Sequence, residues 1–348
     1  MISRVAIKNF KSIGEPGVDL ELKPLTLLVG PNGGGKSSIL EAIAVACQRH
    51  TNGRLTEFPS DREVKHNAGD CRVVIEVEFA PISNETMGGY RFSFGAGSGF
   101  NYEHLSANGA VQANTDRLSS ELSRNACLIS SVRGDVPYSV DARGSPDWVG
   151  VHGESLLLLL AMIFGQLQHS RIARRIATWG QRFGIGDLHA GFIGGNQSGS
   201  DYMDSDLRIA LNLALSSSGS KQILAVITQL FWAPKGSLVM IEEPEISLHP
   251  KAQVDVLEMF AEAIRKDDKQ IIATTHSPIL LQALGYMVHK GWLSRDDMAV
   301  YHIEKRKTGT TAKQLPLGKE GYIRGWVPSY TKVERGLLRE WAKSLPRE

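Results

Sequence analysis

Cysteine is scarce and unorganised in this chain of 348 residues. Cys47, Cys71 and Cys127 form no C-x-x-C pair and no metal-ligand spacing. That excludes a disulfide framework and a zinc ribbon, and makes a reducing, cytoplasmic compartment the expectation. Long apolar runs are missing too. The richest, Ser155–Gly165, falls far short of the about 20 residues that cross a bilayer, and reads as a buried helix. The opening MISRVAIKNFKS is charged early and lacks an apolar centre, so a secretory leader is not expected. A net charge of +2 gives no global attraction to nucleic acid or membrane, so either partner needs a local patch. Internal repeats, low-complexity tracts and sustained heptads are absent, which argues against a solenoid or a long coiled coil. What remains is 42% hydrophobic and 22% charged, ordinary for a globular chain.

Along the chain, ISRVAIK (2–8) alternates as a strand, and VDLELKPLTLLVG is a second strand-like piece. A helix is expected over Lys36–Gln48, with Ile39, Leu40, Ile43, Ala44 and Cys47 on one face. CRVVIEVEFA, YRFSFGAG and YEHLSANGAVQA read as short strands of an inserted antiparallel lobe, and NACLISSVRGDVP as one more strand ending in a loop. Residues 151–215 read mainly as helix, interrupted by a loop at GIGDLHAGFIGGNQSGSD. The last third alternates the buried strands SLVMIEE and KQIIATTHS with a helix near Lys251–Arg265, the patterning of a parallel α/β sheet. Val333, Leu337, Leu338, Trp341 and Leu345 recur at helical spacing near the C-terminus. Docking on the core is the expected use of that face, and a partner helix the alternative.

GPNGGGKS places Gly30, Gly35, Lys36 and Ser37 in the pattern G-x-x-x-x-G-K-[ST], after a strand and before a helix. Backbone N–H groups approach phosphate oxygens only where no Cβ intervenes, hence Gly33, Gly34 and Gly35. Lys36 suits the β- and γ-phosphates, and the Ser37 hydroxyl suits Mg²⁺. In SLVMIEEPEISLHP a buried strand delivers two carboxylates at its end. Glu242 is expected to serve the metal, and Glu243 to act as general base on an attacking water. QIIATTHSP ends another buried strand with His276, able to meet the γ-phosphate or orient the water. LSSSGSKQIL sets Ser217, Ser218 and Gly219 before a helix expected over Ser220–Leu230, a second helix mouth suited to an anion.

In order, NFKS, GPNGGGKSS, SSSGSKQ, MIEEPEISLHP and TTHSP resemble the ABC-type ATPase head of the RecF, SMC and overcoming-lysogenization-defect (OLD-like) P-loop ATPases. The resemblance implies an α/β P-loop NTPase of ABC type carrying an antiparallel β lobe and a helical lobe. It implies ATP and Mg²⁺ as ligands, with Asn32, Gly33, Gly34, Gly35, Lys36, Ser37 and Ser38 as the Walker A loop and LVMIEE as Walker B. Ser217, Ser218 and Gly219 would be the ABC signature, touching the γ-phosphate bound by the other subunit of a homodimer. EISLHP resembles the D-loop and His276 the switch histidine. Departures are the glutamate Glu242 in the usual aspartate position, Ser218 where glycine is commoner, and no clear Q-loop glutamine. Arg133 is the candidate nucleotide sensor in that region. The segment after His276 is expected to hold no toprim-like nuclease.

The expected organisation is one composite head. A P-loop lobe takes 1–55 and 125–150, the β insertion 56–124, and the helical lobe 151–212. The signature, Walker B and His-switch lobe takes 213–310, and a C-terminal segment 311–348. The expected activity is Mg-dependent ATP hydrolysis coupled to DNA-related processing or a separate nuclease or effector chain, as in repair or antiviral defence. Alternatives are a low-turnover regulatory nucleotide-binding module and a transporter's ATPase subunit. Arg171, Arg174, Arg175 and Arg182 can share a helix face that contacts DNA phosphates or is simply solvated.

Overall fold

The computed structural model describes residues 1–47, 65–66, 71–80, 88–95, 98–105, 109–194, 196–204 and 208–344. Its centre is a six-stranded sheet in the order Gly309–Gln314, Met298–Arg306, Leu25–Val29, Gln270–Thr275, Leu238–Glu242 and Ala126–Ile129. All neighbours pair in parallel except the first two, which form an antiparallel hairpin at one edge. Both faces of this sheet are covered, which is why its strands read as unbroken apolar runs. Their side chains still alternate between two cores. Leu25, Leu27, Val29, Val239, Ile241, Ile271 and Ala273 enter one, while Leu28, Leu238, Met240 and Ile272 enter the other.

The second of these cores lies between the central sheet and a five-stranded antiparallel sheet, with helix Lys36–Cys47 in the gap. This sheet runs Val18–Glu21, Ile2–Lys8, Arg72–Phe79, Gly89–Gly95 and Ser98–His104. The expected β lobe is thus continuous with the first strand of the chain, because Ile2–Lys8 pairs directly with Arg72–Phe79. YEHLSANGAVQA is strand only as far as His104, and a helix, Gly109–Asn125, follows. Its inward side includes the buried Thr115, Ser119 and Ser123, so it shows no apolar stripe to read. Residues 48–64 of the expected first lobe and insertion lie outside the described residues.

Helices Leu156–Gly165, Ser170–Arg182, Ser218–Trp232, Pro250–Asp267 and Pro278–His289 contribute to the first core. Two of them start where the sequence places a proline. Pro278 follows Ser277, whose hydroxyl accepts from the Leu280 N–H at 3.0 Å, and Pro250 follows His249. The expected loop at 184–201 is instead a β-hairpin, Gly186–Gly194 paired with Gln197–Met203. Its glycines and serines hide the strand pattern, and the ladder is anchored by the buried Leu188 and Tyr202. No single helix among the described residues is long and apolar enough to cross a membrane. The C-terminal helix, Pro328–Ser344, corrects another expectation. Val333, Leu337 and Leu338 are each 60% or more exposed, so these side chains are not buried in this chain's core. Leu345 lies outside the described residues.

Candidate functional site

Because the central strands are parallel, their C-terminal ends collect at one edge. Val29 pairs with Thr275, and Thr274 with Glu242. The loops after these strands carry Lys36, His276 and Glu243 respectively, which is where ligands bind in open α/β sheets.

The glycine loop turns from Val29 into the helix that starts at Lys36. Its glycines are dictated by more than a phosphate. A Cβ on Gly30 would lie 2.0 Å from the Ile303 carbonyl oxygen, and one on Gly34 2.9 Å from it. At Gly35, with φ +105°, it would lie 2.2 Å from Thr310 Oγ1. The edge hairpin Met298–Gln314 therefore presses on the loop from behind. Thr310 Oγ1 donates to Gly34 O at 3.1 Å and to Ser12 Oγ at 2.8 Å. Ser12, from the NFKS turn, in turn donates to the buried Ser38 hydroxyl at 3.1 Å. Only Gly33, with φ +70° and nothing within 4 Å, faces open space, as do the exposed Asn32 and Ser37. Thr310, Ile303 and the bracing role of Ser12 carry no local signal in the sequence; Thr310 lies 276 residues from the Gly34 carbonyl it meets.

Lys36 is buried, and its Nζ donates to Gly30 O at 3.1 Å and Pro31 O at 3.0 Å. Burial lowers its pKa, opposed by the nearby Glu243, Glu242 and Glu245 carboxylates. The adjacent acids at the end of the Leu238–Glu242 strand part company. Glu242 Oε2 accepts from the Ser131 N–H at 3.1 Å and the Ser130 hydroxyl at 3.3 Å, whereas Glu243 Oε1 lies 3.7 Å from His276 Nε2. Glu243 holds a left-handed backbone, φ +43°, and its N–H meets both Thr274 O and Thr274 Oγ1 at 3.1 Å. His276 has its pKa lowered by burial and by the Lys36 charge, so it is held as the neutral ring at neutral pH.

Two residues that sequence reasoning undervalued organise this edge. Glu245 is buried and accepts on Oε1 from Thr275 Oγ1 at 2.7 Å and from the His276 N–H at 2.8 Å. Burial raises its pKa. Arg133, the expected nucleotide sensor, is 6% exposed and spends its bonds on backbone carbonyls. It braces the edge from within.

Ser217, Ser218 and Gly219 form the mouth of helix Ser218–Trp232. Ser217 Oγ caps the helix by accepting from the Ser220 N–H at 3.1 Å. Ser217 and Ser218 are exposed, and Ser217 bonds within its own turn. Gly219 is buried because a Cβ there would lie 2.4 Å from Ser247 O. The Arg171, Arg174, Arg175 and Arg182 face divides. Arg175 is paired with Glu262 and Asp267, and Arg182 with Asp255 and Glu258, while Arg171 and Arg174 stay exposed.

 The observed helix begins at Ser218, just ahead of the expected Ser220, and ends at Trp232, just past Leu230.

Ser37 offers an exposed hydroxyl and Glu242, whose charge interacts with Lys36, a carboxylate; both are hard oxygen donors of the kind Mg²⁺ takes. Mg²⁺ characteristically takes only one or two protein ligands and completes its shell with water and phosphate oxygens. Among the described residues no cluster of three or more His, Cys, Asp or Glu side chains forms a self-sufficient metal cage.

A family profile described as "AAA domain, putative AbiEii toxin, Type IV TA system" matches residues 137–282, and another described as "AAA domain" matches residues 4–126. The OLD nuclease of Thermus scotoductus is 27% identical over 322 residues, covering 80% of this chain and 59% of that protein. The chain thus spans under two thirds of that relative's length. Exonuclease subunit 2 of Enterobacteria phage T4 is 50% identical over 44 residues, 12% of this chain and 8% of its own. Among solved structures, an SMC head domain from Thermotoga maritima aligns with TM-score 0.52 and 14% identity over 91% of this chain and 99% of its own. An Smc head from Pyrococcus furiosus, bound to the C-terminal domain of ScpA, aligns with TM-score 0.61 and 13% identity over 98% and 99%. At such identities the likeness shows the fold alone, that of an SMC head domain.

Proposed function

We propose that this chain, an ABC-type P-loop ATPase head with OLD-like and SMC-like relatives, binds Mg-ATP between two copies of itself and hydrolyses it. The observation that carries the reading is the collection of Lys36, Glu242, Glu243 and His276 at the C-terminal ends of adjacent parallel strands. Ser217 and Ser218 stand exposed at a separate helix mouth, ready for an anion that another molecule supplies.

The loop's N–H groups and Lys36 hold the phosphates, and release of Lys36 from its own loop carbonyls frees its donors for them. Ser37 and Glu242 would hold Mg²⁺, which would neutralise phosphate charge. Glu243 receives the proton of the attacking water, and the neutral His276 ring orients that water or the terminal phosphate. Replacing Glu243 by Gln keeps nucleotide binding, cuts phosphate release by about 10²- to 10⁴-fold, and accumulates an ATP-bound dimer. Phosphate-release kinetics and size-exclusion chromatography with and without ATP check this. Phosphate release unchanged in Glu243→Gln, or a monomer under every nucleotide condition, would sink the reading.

Coupling to DNA-related processing or to a separate nuclease or effector chain is the output that the relatives support, since two of them are nucleases by name. On this chain the exposed Arg171 and Arg174 are the candidate phosphate contacts, Arg175 and Arg182 being occupied by acids. DNA binding that weakens steeply with salt, and is lost in an Arg171→Ala/Arg174→Ala double variant, is the expected result.

A further inference from the structure

Arg133 is more than nine-tenths buried and bonds to no carboxylate. Its Nη1 donates to Ser130 O at 2.6 Å and Glu242 O at 2.7 Å, its Nη2 to Glu243 O at 2.9 Å, and its Nε to Gln222 O at 3.2 Å. One side chain thus joins three segments. These are its own loop, the end of the carboxylate strand, and the first turns of the helix that starts at the Ser217–Gly219 mouth.

Two further contacts make this a tight joint. Gly134, at φ +87°, lets the loop lie so close to the helix that a Cβ would come 2.7 Å from Gln222 Cγ and 3.0 Å from Gln222 N. Gly219 rests against Ser247 O, in the turn that follows Glu243. Between them sits Glu243 in its left-handed conformation, which costs a non-glycine residue about 1–2 kcal/mol and persists only where surroundings fix it. Arg133 holds the carbonyls of the two peptide links that flank Glu243, so it fixes the direction in which Glu243 presents its carboxylate.

We propose that Arg133 is a positioning residue that couples the two nucleotide sites of the dimer, transmitting the seating of the Ser217 mouth to Glu243 through the Gln222 carbonyl. This rests on the function proposed above. In that dimer the Ser217 mouth meets the nucleotide held by the partner, while Glu243 serves the nucleotide held by its own loop. Docking of one nucleotide then sets the base that acts on the other, and turnover becomes cooperative in ATP. A lysine at position 133 keeps the charge but has a single head, and it cannot hold all four carbonyls in the planar fork geometry of a guanidinium.

The test measures phosphate release against ATP concentration, at a protein concentration that keeps the chain dimeric, alongside nucleotide affinity and melting temperature. The wild type is expected to be cooperative in ATP. Arg133→Lys is expected to keep nucleotide affinity, lose the cooperativity, and turn over about 10- to 100-fold more slowly, the range seen when a partner that orients a functional group is removed. Gly134→Ala leaves the guanidinium in place and displaces Gln222, and it is expected to lose cooperativity at preserved affinity even if Arg133→Lys does not fold. Wild-type cooperativity in a folded Arg133→Lys or Gly134→Ala protein overturns the proposal. So does a parallel fall of affinity, turnover and melting temperature, which would make Arg133 a brace of the fold alone. A wild type that hydrolyses ATP without cooperativity overturns the coupling and leaves the ATPase reading standing, whereas a wild type without turnover overturns both.

Discussion

The chain contains two small-residue helix mouths suited to phosphate, and they are finished to different degrees. At the Lys36 mouth nearly every glycine has a contact that explains it, and the loop is braced by Ile303, Thr310 and Ser12. At the Ser217 mouth the serines face outward and the cap closes only on its own turn. The first is prefabricated within one molecule. The second has its supports behind it, at Ser247 and Arg133, and its front open. In the proposed dimer, the open front of the second mouth is the part that a partner copy's nucleotide would complete.

Substitutions that separate brace from mouth sharpen this contrast. The largest effect is expected at Gly35. Alanine there meets Thr310 Oγ1 and an unfavourable φ together, and roughly 2–5 kcal/mol of stability is lost, measured by denaturant unfolding. Gly33→Ala, with space around it, loses only about 1–2 kcal/mol for its φ. Equal losses at the two positions would break the claim that the hairpin dictates the loop. Lys36→Ala comes next, with nucleotide affinity falling roughly 10- to 100-fold, the scale of a charged hydrogen bond, in a calorimetric titration. Ser217→Ala removes a cap worth about 1 kcal/mol, and it should leave nucleotide affinity of the monomer intact while reducing the ATP-dependent dimer. A monomer that loses affinity in Ser217→Ala would mean that both mouths serve one nucleotide within one chain.

The smallest effect concerns pH. His276 has a folded-state pKa below its unfolded value of 6.5, so the unfolded chain binds its proton first as pH falls. Its contribution to stability is full above pH 6.5, declines as the pH drops below that value, and levels off under the folded pKa. Thermal melts across this window should show a shallower decline in His276→Gln than in the wild type.

The parallel sheet and its edge were legible because both rest on local signals. Apolar runs mark doubly covered strands, and Ser277–Pro278 and His249–Pro250 mark helix starts. The hairpin Gly186–Gly194/Gln197–Met203 was not legible, since its order comes from pairing and its residues are small and polar. Helix Gly109–Asn125 hid behind serine and threonine on its buried side. At the site, Lys36, Glu242, Glu243 and His276 follow a recognisable spacing. Arg133 and Glu245 work on backbone groups of distant segments, and no motif records a bond to a carbonyl. The C-terminal helix showed its period but not its surroundings, and Val333, Leu337 and Leu338 proved exposed.

The edge hairpin also bears on how the protein is made. The glycine loop leaves the ribosome early, yet Thr310 and Ile303, which fix its shape, are synthesised near the end. Strand pairing over such a distance forms slowly, because the intervening chain must close first. A ribosome-bound fragment ending before Met298 should therefore carry the complete motif and fail to retain nucleotide, so that capture of ATP reports completion of the whole head.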